Sequence, residues 1–590
     1  MAILKNSIVS RYNFFLLILY LIPVLSVCGF ISYFGVNVPL HDQWVVPYFL
    51  DKFFSGTLTF KNLFSLHNSH RLFFPRIIFI TLSFASDWNI RWELYFSLFL
   101  AILTFLGLYR LSLITTPKSL KTGFHLINLS SCFLLFSWVQ HENWLWGFQI
   151  ALFLINLCVV LACLLLSSQS LKPPIKLSIS ALLCGVASFS SAQGLLSWLA
   201  LIPSTFTIPG NLKHKRKRLT VWIFLFLLSI LLYSWGYRKE TGTVPDPVTS
   251  NSKALAVLHF FFNLIAAPFL GSSNLTWILG FILVIFFLFL ALTPLFNSRY
   301  QENNYNLYPW IYLGLFSLLC SLLIAIGRSG LGADYAISTS RYTTHTILLP
   351  IAIIQLSQRI FSPSLKKRII LFFCTGILLG LNFVQSGNVV PYVQSRVPFI
   401  QVGKTCFNLI EYLEYSSFFR QSDRSCLRPL NSSPWMNVIW ESAEKLKRLN
   451  FRTFPQNITF VENSVQTYGE ITTPQTDQVF SIYQSESVKI RGWIERYPSQ
   501  NNPTLILFSI ANRPSFFANT YAVDFSSQPF TSTKSSSEYP LEWEIELTAD
   551  FLPIGTHLIQ AWIYDSTQNQ FLKLDHQVNL RISKAQSSEQ

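Results

Sequence analysis

Runs of about 20 apolar residues recur through the first four hundred positions of this chain, and such runs permit few folds. A segment of that length can sit in a hydrocarbon core roughly 30 Å thick only as a helix that bonds its own backbone. The runs fall near 13–34, 91–112, 122–139, 148–168, 219–237, 273–294, 308–327, 343–360 and 369–386. A longer apolar stretch lies between the basic segments 172–176 and 211–218. Its centre, Ser188 to Gly194, reads as a turn joining two short spans. The expectation is an α-helical polytopic membrane protein with about eleven transmembrane helices.

Composition supports this class, with 51% hydrophobic and 12% charged residues. The formal charge of +16 is not a nucleic-acid signature. Its cations gather in short connectors: Lys5 and Arg11; Lys118 and Lys121; Lys172 and Lys176; Lys213 to Arg218; Lys366 to Arg368. Such bias marks cytoplasmic loops. The amino terminus is then cytoplasmic and the carboxyl terminus outside. The apolar run from Phe14 to Phe34 lacks a small-residue cleavage site and reads as an uncleaved first span. Two weaker segments, Phe73–Ser86 and 254–270, read as interfacial or re-entrant helices. Outward-facing segments are 35–90, 139–147, 188–194, 237–272, 328–343 and everything after 386.

Three regions follow. Residues 1–386 form the membrane domain, including an outward loop at 35–90. Residues 387–455 mix polar and amphipathic signals and read as a helical extracytoplasmic linker. From about 456 the apolar period becomes two, as in Val488–Glu495, Thr504–Ile510, Leu541–Leu547 and His557–Tyr564, with turn-rich stretches such as 497–503 between them. That spacing predicts an Ig-like β-sandwich over 456–590, with Trp493 and Trp562 at core positions by alternation.

Most of the unusual polar residues fall on the outward side. Asp42 lies between His41 and Gln43 in the first loop, where a carboxylate could take a proton as general base or simply cap the helix beginning near Trp44. His67, Asn68, His70, Arg71 and Arg76 supply donors suited to phosphate or to anionic lipid headgroups. Glu142, Asn143, Trp144 and Gln149 place an acid and polar groups beside tryptophans that suit a membrane interface or sugar stacking. Arg328, Arg341 and Tyr342 flank a glycine-rich segment whose backbone N–H groups could approach an anion, or which could serve as a flexible reverse loop. Gln193 sits in the Ser188–Gly194 turn. Cys406 and Cys426 stand in a polar segment. A disulfide is expected there if that segment faces an oxidising compartment, and two free thiols are the alternative. No zinc, iron–sulfur or haem ligand set is present in the sequence.

In order and on a shared side, these segments resemble the polytopic C-type glycosyltransferases, which use polyprenyl-phosphate sugars, and most of all a bacterial branch of that group. The similar elements are His41-Asp42-Gln43-Trp44, the run from His67 to Arg76, Glu142-Asn143-Trp144 with Gly147-Phe148-Gln149, Gly327-Arg328 through Arg341-Tyr342, and Cys406 with Cys426-Leu427. They cover about 1–450. The resemblance implies an enzyme of the bacterial inner membrane with its C-terminal domain periplasmic. It implies Asp42 as base, with Glu142 as second acid. Arg71, Arg76, Arg328, Arg341 and Tyr342 would meet the donor phosphate. His41, Gln43, His67, Asn68, His70, Asn143, Trp144, Gln149 and Gln193 would contact substrate. The partners would be a lipid-linked sugar donor, membrane lipids, and a glycan, lipid or protein acceptor. No Asp-Asp, Asp-Glu or Glu-Asp pair occurs in the first loop, so a monophosphate donor without a metal cofactor is favoured, although Glu142 could complete a metal site in space. The competing class is a transporter or flippase of lipid-linked saccharides, which would favour internal repeats and midplane polar breaks.

Overall fold

The computed structural model describes residues 2–117, 123–237, 250–271, 274–296, 306–361, 365–432, 435–462, 467–474, 479–484, 486–495, 504–511, 513, 515–522 and 540–584. Lys118, Lys121 and the stretch 497–503 lie outside them. Among the described residues, seven helices are long and apolar enough to cross a membrane: Phe14–Phe34, Ile90–Thr115, Gly147–Ser167, Leu212–Ser234, Thr276–Pro294, Tyr308–Leu331 and Lys366–Asn408. This is the architecture of a membrane protein, joined to a C-terminal β region.

The remaining expected spans are shorter. The 122–139 run forms helix Phe124–Leu135, and 343–360 divides into Thr343–Thr346 and Leu348–Phe361. A helix of 14 residues is about 21 Å long at 1.5 Å per residue, less than the hydrocarbon thickness. The stretch after Lys172 gives Pro173–Ser188, then Leu196–Leu201 and Ser204–Thr207. The expected turn between them is present. It folds back so closely that a Cβ on Gly194 would collide with the Ala187 carbonyl, which only glycine avoids. Helix Leu365–Asn408 continues well beyond the expected end at 386, through the start of the expected linker.

The chain forms two compact units: 1–35, 58–86 and 91–393 in one, and 36–57, 87–90 and 394–590 in the other. The loop expected at 35–90 is thus divided. Its first part belongs with the C-terminal residues because it is bonded to them. His41 N–H donates to the Leu430 carbonyl at 2.7 Å, and Arg448 pairs with Asp51 at 2.5 Å. The Arg452 guanidinium reaches the Asn37 carbonyl, and its backbone N–H reaches the Asp87 carboxylate.

Among the membrane-length helices, Ile90–Thr115, Gly147–Ser167 and Tyr308–Leu331 are more than half buried, whereas Leu212–Ser234 and Lys366–Asn408 are only 17% buried. The central helices therefore carry the packed interior. Helix Leu348–Phe361 is buried from Leu348 to Ile360. It brings Arg359 into that interior without a carboxylate partner among the described residues. All three of its guanidinium nitrogens donate instead, to Thr115, Gln355, Ser112 and Thr116. The charge also lies 5.0 Å over the Trp310 ring. A buried charge is tolerated when its donors are satisfied in this way.

In the second unit, a disulfide joins Cys406 to Cys426. The strands are numbered with those of the first unit: β1 (Leu66–His67), β2 (His70–Arg71), β3 (Thr459–Val461), β4 (Gly469–Thr473), β5 (Val479–Tyr483), β6 (Ser487–Ile494), β7 (Thr504–Ile510), β8 (Phe516–Ala522), β9 (Leu541–Thr548), β10 (Gly555–Asp565), β11 (Gln570–Lys573) and β12 (Val578–Ser583). One sheet runs β3-β11-β10-β12-β5, with β7 on β10 and β8 on β7; the other runs β4-β6-β9. The β3/β11 and β5/β12 pairings are parallel. In β9, Leu541, Trp543, Ile545 and Leu547 are buried at alternate positions, and Trp543 meets Phe508 of the other sheet at 5.6 Å. Trp562 is a core residue whose indole N–H donates to Ser509, while Trp493 is half-buried and donates to Glu470.

Candidate functional site

The short helix His141–Leu145 is fixed by two buried side chains. Trp144 donates its indole N–H to the Ser137 carbonyl at 2.9 Å and stacks on Phe153 at 4.8 Å. Asn143, fully buried, donates to the Arg341 carbonyl and to Thr344 Oγ1. Both were expected at the substrate; in the structure Asn143 ties the helix to the turn Ser340–Tyr342 and Trp144 ties it to Ser137 and Phe153. That anchoring sets Glu142 against Arg341. Glu142 Oε2 accepts the Arg341 backbone N–H at 2.9 Å, and Oε1 accepts Arg341 Nη1 at 3.2 Å. The two side chains are 23% and 28% exposed, so solutes can reach them.

Arg341 Nη2 also donates to the Tyr335 hydroxyl at 2.8 Å, and the guanidinium lies 5.2 Å from the centre of the Tyr342 ring. Burial pulls the guanidinium down, but Glu142, Tyr342 and Tyr335 carry it above its ordinary value. Burial pushes the Tyr342 phenol up, against the opposing charges of Arg341 and Arg328. Arg328, partly exposed, ends helix Tyr308–Arg328, where a cation is favoured by the helix dipole. It has no hydrogen bond or ion pair among the described residues. Arg341 is thus paired with Glu142, whereas Arg328, whose charge also reaches Tyr342, carries a positive charge suited to an anion. The glycine-rich segment beside it does not form an open anion loop. It folds as a 3-10 turn, Ser329–Leu331, and a short helix, Ala333–Ser338, separated by Gly332 at φ 93°.

Behind this cluster, Asn156 donates to the Thr344 carbonyl at 2.6 Å and meets His345 Nδ1 at 2.7 Å. Ser317 donates to the His345 carbonyl. Helices Ile150–Ser167 and Tyr308–Arg328 thereby hold the segment carrying Arg341 from two sides.

Arg71 and Arg76, expected at a donor phosphate, have another role in the structure. Both are buried, and they donate to the chain's own carbonyls. Arg71 donates to Tyr233, Phe64 and Trp235, closing the end of helix Leu212–Ser234; Arg76 donates to Leu63 at 2.7 Å and Ser65 at 2.6 Å, closing Phe60–Phe64. Cations satisfy orphan carbonyls at helix C-termini in this manner. Burial lowers the Arg71 guanidinium from its ordinary value, with Tyr233 opposing.

The remaining members of that run form a hairpin in which His67 faces His70 across Asn68, itself at φ 50°. His70 Nδ1 lies 3.2 Å from Ser191 Oγ, which donates to Gln193 Oε1. The His67 ring lies 5.3 Å from Phe148. The hairpin and the Ser188–Gly194 turn, distant in sequence, thus meet through His70 and Ser191. Gln149 is buried beside Phe148 in the turn Gly147–Gln149.

Asp42 belongs to the second unit. It lies in the 3-10 turn His41–Val45, partly exposed. His41 holds φ 48°, a strained value for a non-glycine residue. Gln43 is fully buried and accepts the Leu40 N–H at 3.0 Å, so it shapes the turn rather than facing a ligand. Trp44 donates to the Leu430 carbonyl and packs on Phe407 at 4.9 Å. Through Leu430 and Phe407 the turn rests on the segment that contains the disulfide.

Tyr335 and Ser340 were not singled out in sequence, although their spacing around Arg341 offered the signal. Among the described residues no group of three or more His, Cys, Asp or Glu side chains gathers as metal ligands would. No family model matches this chain, and no curated protein or solved structure matches it.

Proposed function

We propose that this protein is a membrane glycosyltransferase that moves a sugar from a polyprenyl-phosphate donor to a cell-envelope glycan, lipid or protein acceptor. The observation that supports it best is the Arg341 guanidinium held by Glu142 and Tyr335, with Arg328 at the end of a membrane-length helix acting on the same Tyr342. In this reading Arg341 and Arg328 contact the donor phosphate and Tyr335 and Glu142 orient Arg341, while the resemblance implies Asp42 as the base. The acceptor hydroxyl attacks the anomeric carbon and forms the new C–O bond. The bond to the lipid phosphate breaks with its electron pair, and Asp42 takes the hydroxyl proton. A single displacement inverts the anomeric centre. One preorganised cation on the leaving phosphate is worth about 3 kcal/mol in such a transition state.

The accompanying fold is C-type. The shorter apolar helices complete about eleven passes, the amino terminus is cytoplasmic, and the C-terminal unit is outside a bacterial inner membrane. Incubation of the purified protein with labelled polyprenyl-phosphate sugar and a panel of acceptors, in detergent and in vesicles, tests this. A new glycosidic bond in detergent supports transfer. Movement of label across vesicles without a new bond replaces it with transport.

A further inference from the structure

The second unit contains a cleft of about 420 Å³ that the transfer reaction does not use. That volume lies within the range of small-ligand sites, roughly 300–1,000 Å³. One wall is helix Asn437–Arg448. Its Ile439, Ser442, Ala443 and Leu446 are largely turned inward, and the stripe Asn437, Trp440, Glu441, Glu444 and Lys447 lines the opening. Those spacings of three and four place the stripe on one face of the helix. Facing it are Glu411 and Tyr415, with Ile410 and Phe454 as an apolar floor.

Two aromatic rings form a corner. Tyr415 and Trp440 lie 5.4 Å apart at 79°, and the Arg420 guanidinium sits 4.6 Å from the Tyr415 ring centre. Around this corner several polar groups carry no hydrogen bond or ion pair among the described residues: the Trp440 indole N–H, the Asn437 amide and the Glu444 carboxylate. Glu441 is 3.8 Å from Lys445 on its own helix, and Glu411 pairs with Lys447.

We propose that this cleft binds a neutral oligosaccharide. The apolar face of a sugar ring packs on an aromatic side chain, and its hydroxyls need both donors and acceptors. The indole N–H and the amide are donors, the carboxylates are acceptors, and all lie around one aromatic corner. The three carboxylates are balanced by Lys445, Lys447 and Arg420, so the cleft has no net charge to select an ionic polymer. A purely cationic ligand would use the carboxylates and leave the donors idle. The inference does not depend on the transfer reading, because no residue of the cleft takes part in it.

The test uses the full-length protein in lipid nanodiscs and titrates hexasaccharides of β-1,4-glucose, β-1,4-N-acetylglucosamine and α-1,6-mannose, with trilysine as a cationic control. Calorimetry measures the binding. At least one hexasaccharide should bind saturably with a Kd between about 10 μM and 1 mM, the span expected of a small wet site. Trp440→Ala should weaken it at least tenfold, and Glu444→Gln, which keeps an acceptor, only a few-fold. Trp440→Phe, which keeps most of the packing, should still weaken it measurably and guards against a folding defect in the alanine variant. Absence of binding by all three sugars overturns the proposal. So does binding that both Trp440 variants leave unchanged, or binding of trilysine alone that Glu444→Gln abolishes. Unchanged transfer activity in Trp440→Phe keeps the two readings separable.

Discussion

Arg341 and Glu142, 199 residues apart in sequence, meet at 3.2 Å, and the same carboxylate receives the Arg341 backbone N–H at 2.9 Å. One side chain thus fixes both ends of the arginine, so Glu142 acts as a positioning residue. Glu142→Gln keeps an acceptor for the backbone and removes the charge. For a pair about a quarter exposed, a loss of about 1–2 kcal/mol is expected, between the surface and buried limits. Thermal unfolding in nanodiscs measures it. In transfer assays the donor KM should rise about tenfold with kcat little changed, the pattern of lost ground-state binding.

Arg76 and Arg328 should separate cleanly. Arg76→Ala strips the donors from the Leu63 and Ser65 carbonyls in a buried setting and should cost about 2–4 kcal/mol of stability. Arg328→Ala removes a cation with no hydrogen bond or ion pair among the described residues and should leave the melting temperature within a degree or two. It should raise the donor KM about tenfold or more, the worth of one charge-assisted hydrogen bond. Melting curves and donor titrations on both variants distinguish a capping arginine from a ligand-facing one.

The β10–β11 hairpin carries a pH dependence. Burial pushes the Asp565 carboxyl up, but hydrogen bonds from Thr567 and Gln568 bring it below its ordinary value. A carboxylate lowered by folding stabilises above its unfolded value and ceases to do so as pH falls through the lowered one. The Thr567 and Gln568 amides should therefore be protected at pH 6 and exchange faster, after correction for intrinsic rates, near pH 3. Hydrogen exchange measured on wild type and Asp565→Asn checks this, and the variant should lose most of the pH dependence.

Much of the architecture was legible in sequence because apolar length and period report burial directly. The runs at 13–34, 91–112, 148–168 and 308–327 became long helices, and the alternation at Leu541–Leu547 became β9. The breaks were harder to read. Whether a run such as 343–360 is one helix or two depends on Asn156 and Ser317, which bond the Thr344 and His345 carbonyls from other helices. The roles of arginines were hardest, since guanidiniums that cap carbonyls and guanidiniums that face ligands look alike in sequence. Arg71 and Arg76 share a short polar run with two histidines, yet they close helix ends. Arg359, which sequence reading passed over, is held inside the bundle. The stripe from Asn437 to Lys447 was not singled out in sequence, and only the approach of Tyr415 makes it a cleft.

The most direct test of the central claim is turnover by Asp42→Asn, measured as labelled product from a polyprenyl-phosphate sugar at saturating donor. The account predicts a folded protein whose rate falls at least about a thousandfold, within the 10²–10⁴ contribution typical of a general base. A variant that transfers sugar at close to the wild-type rate would contradict it.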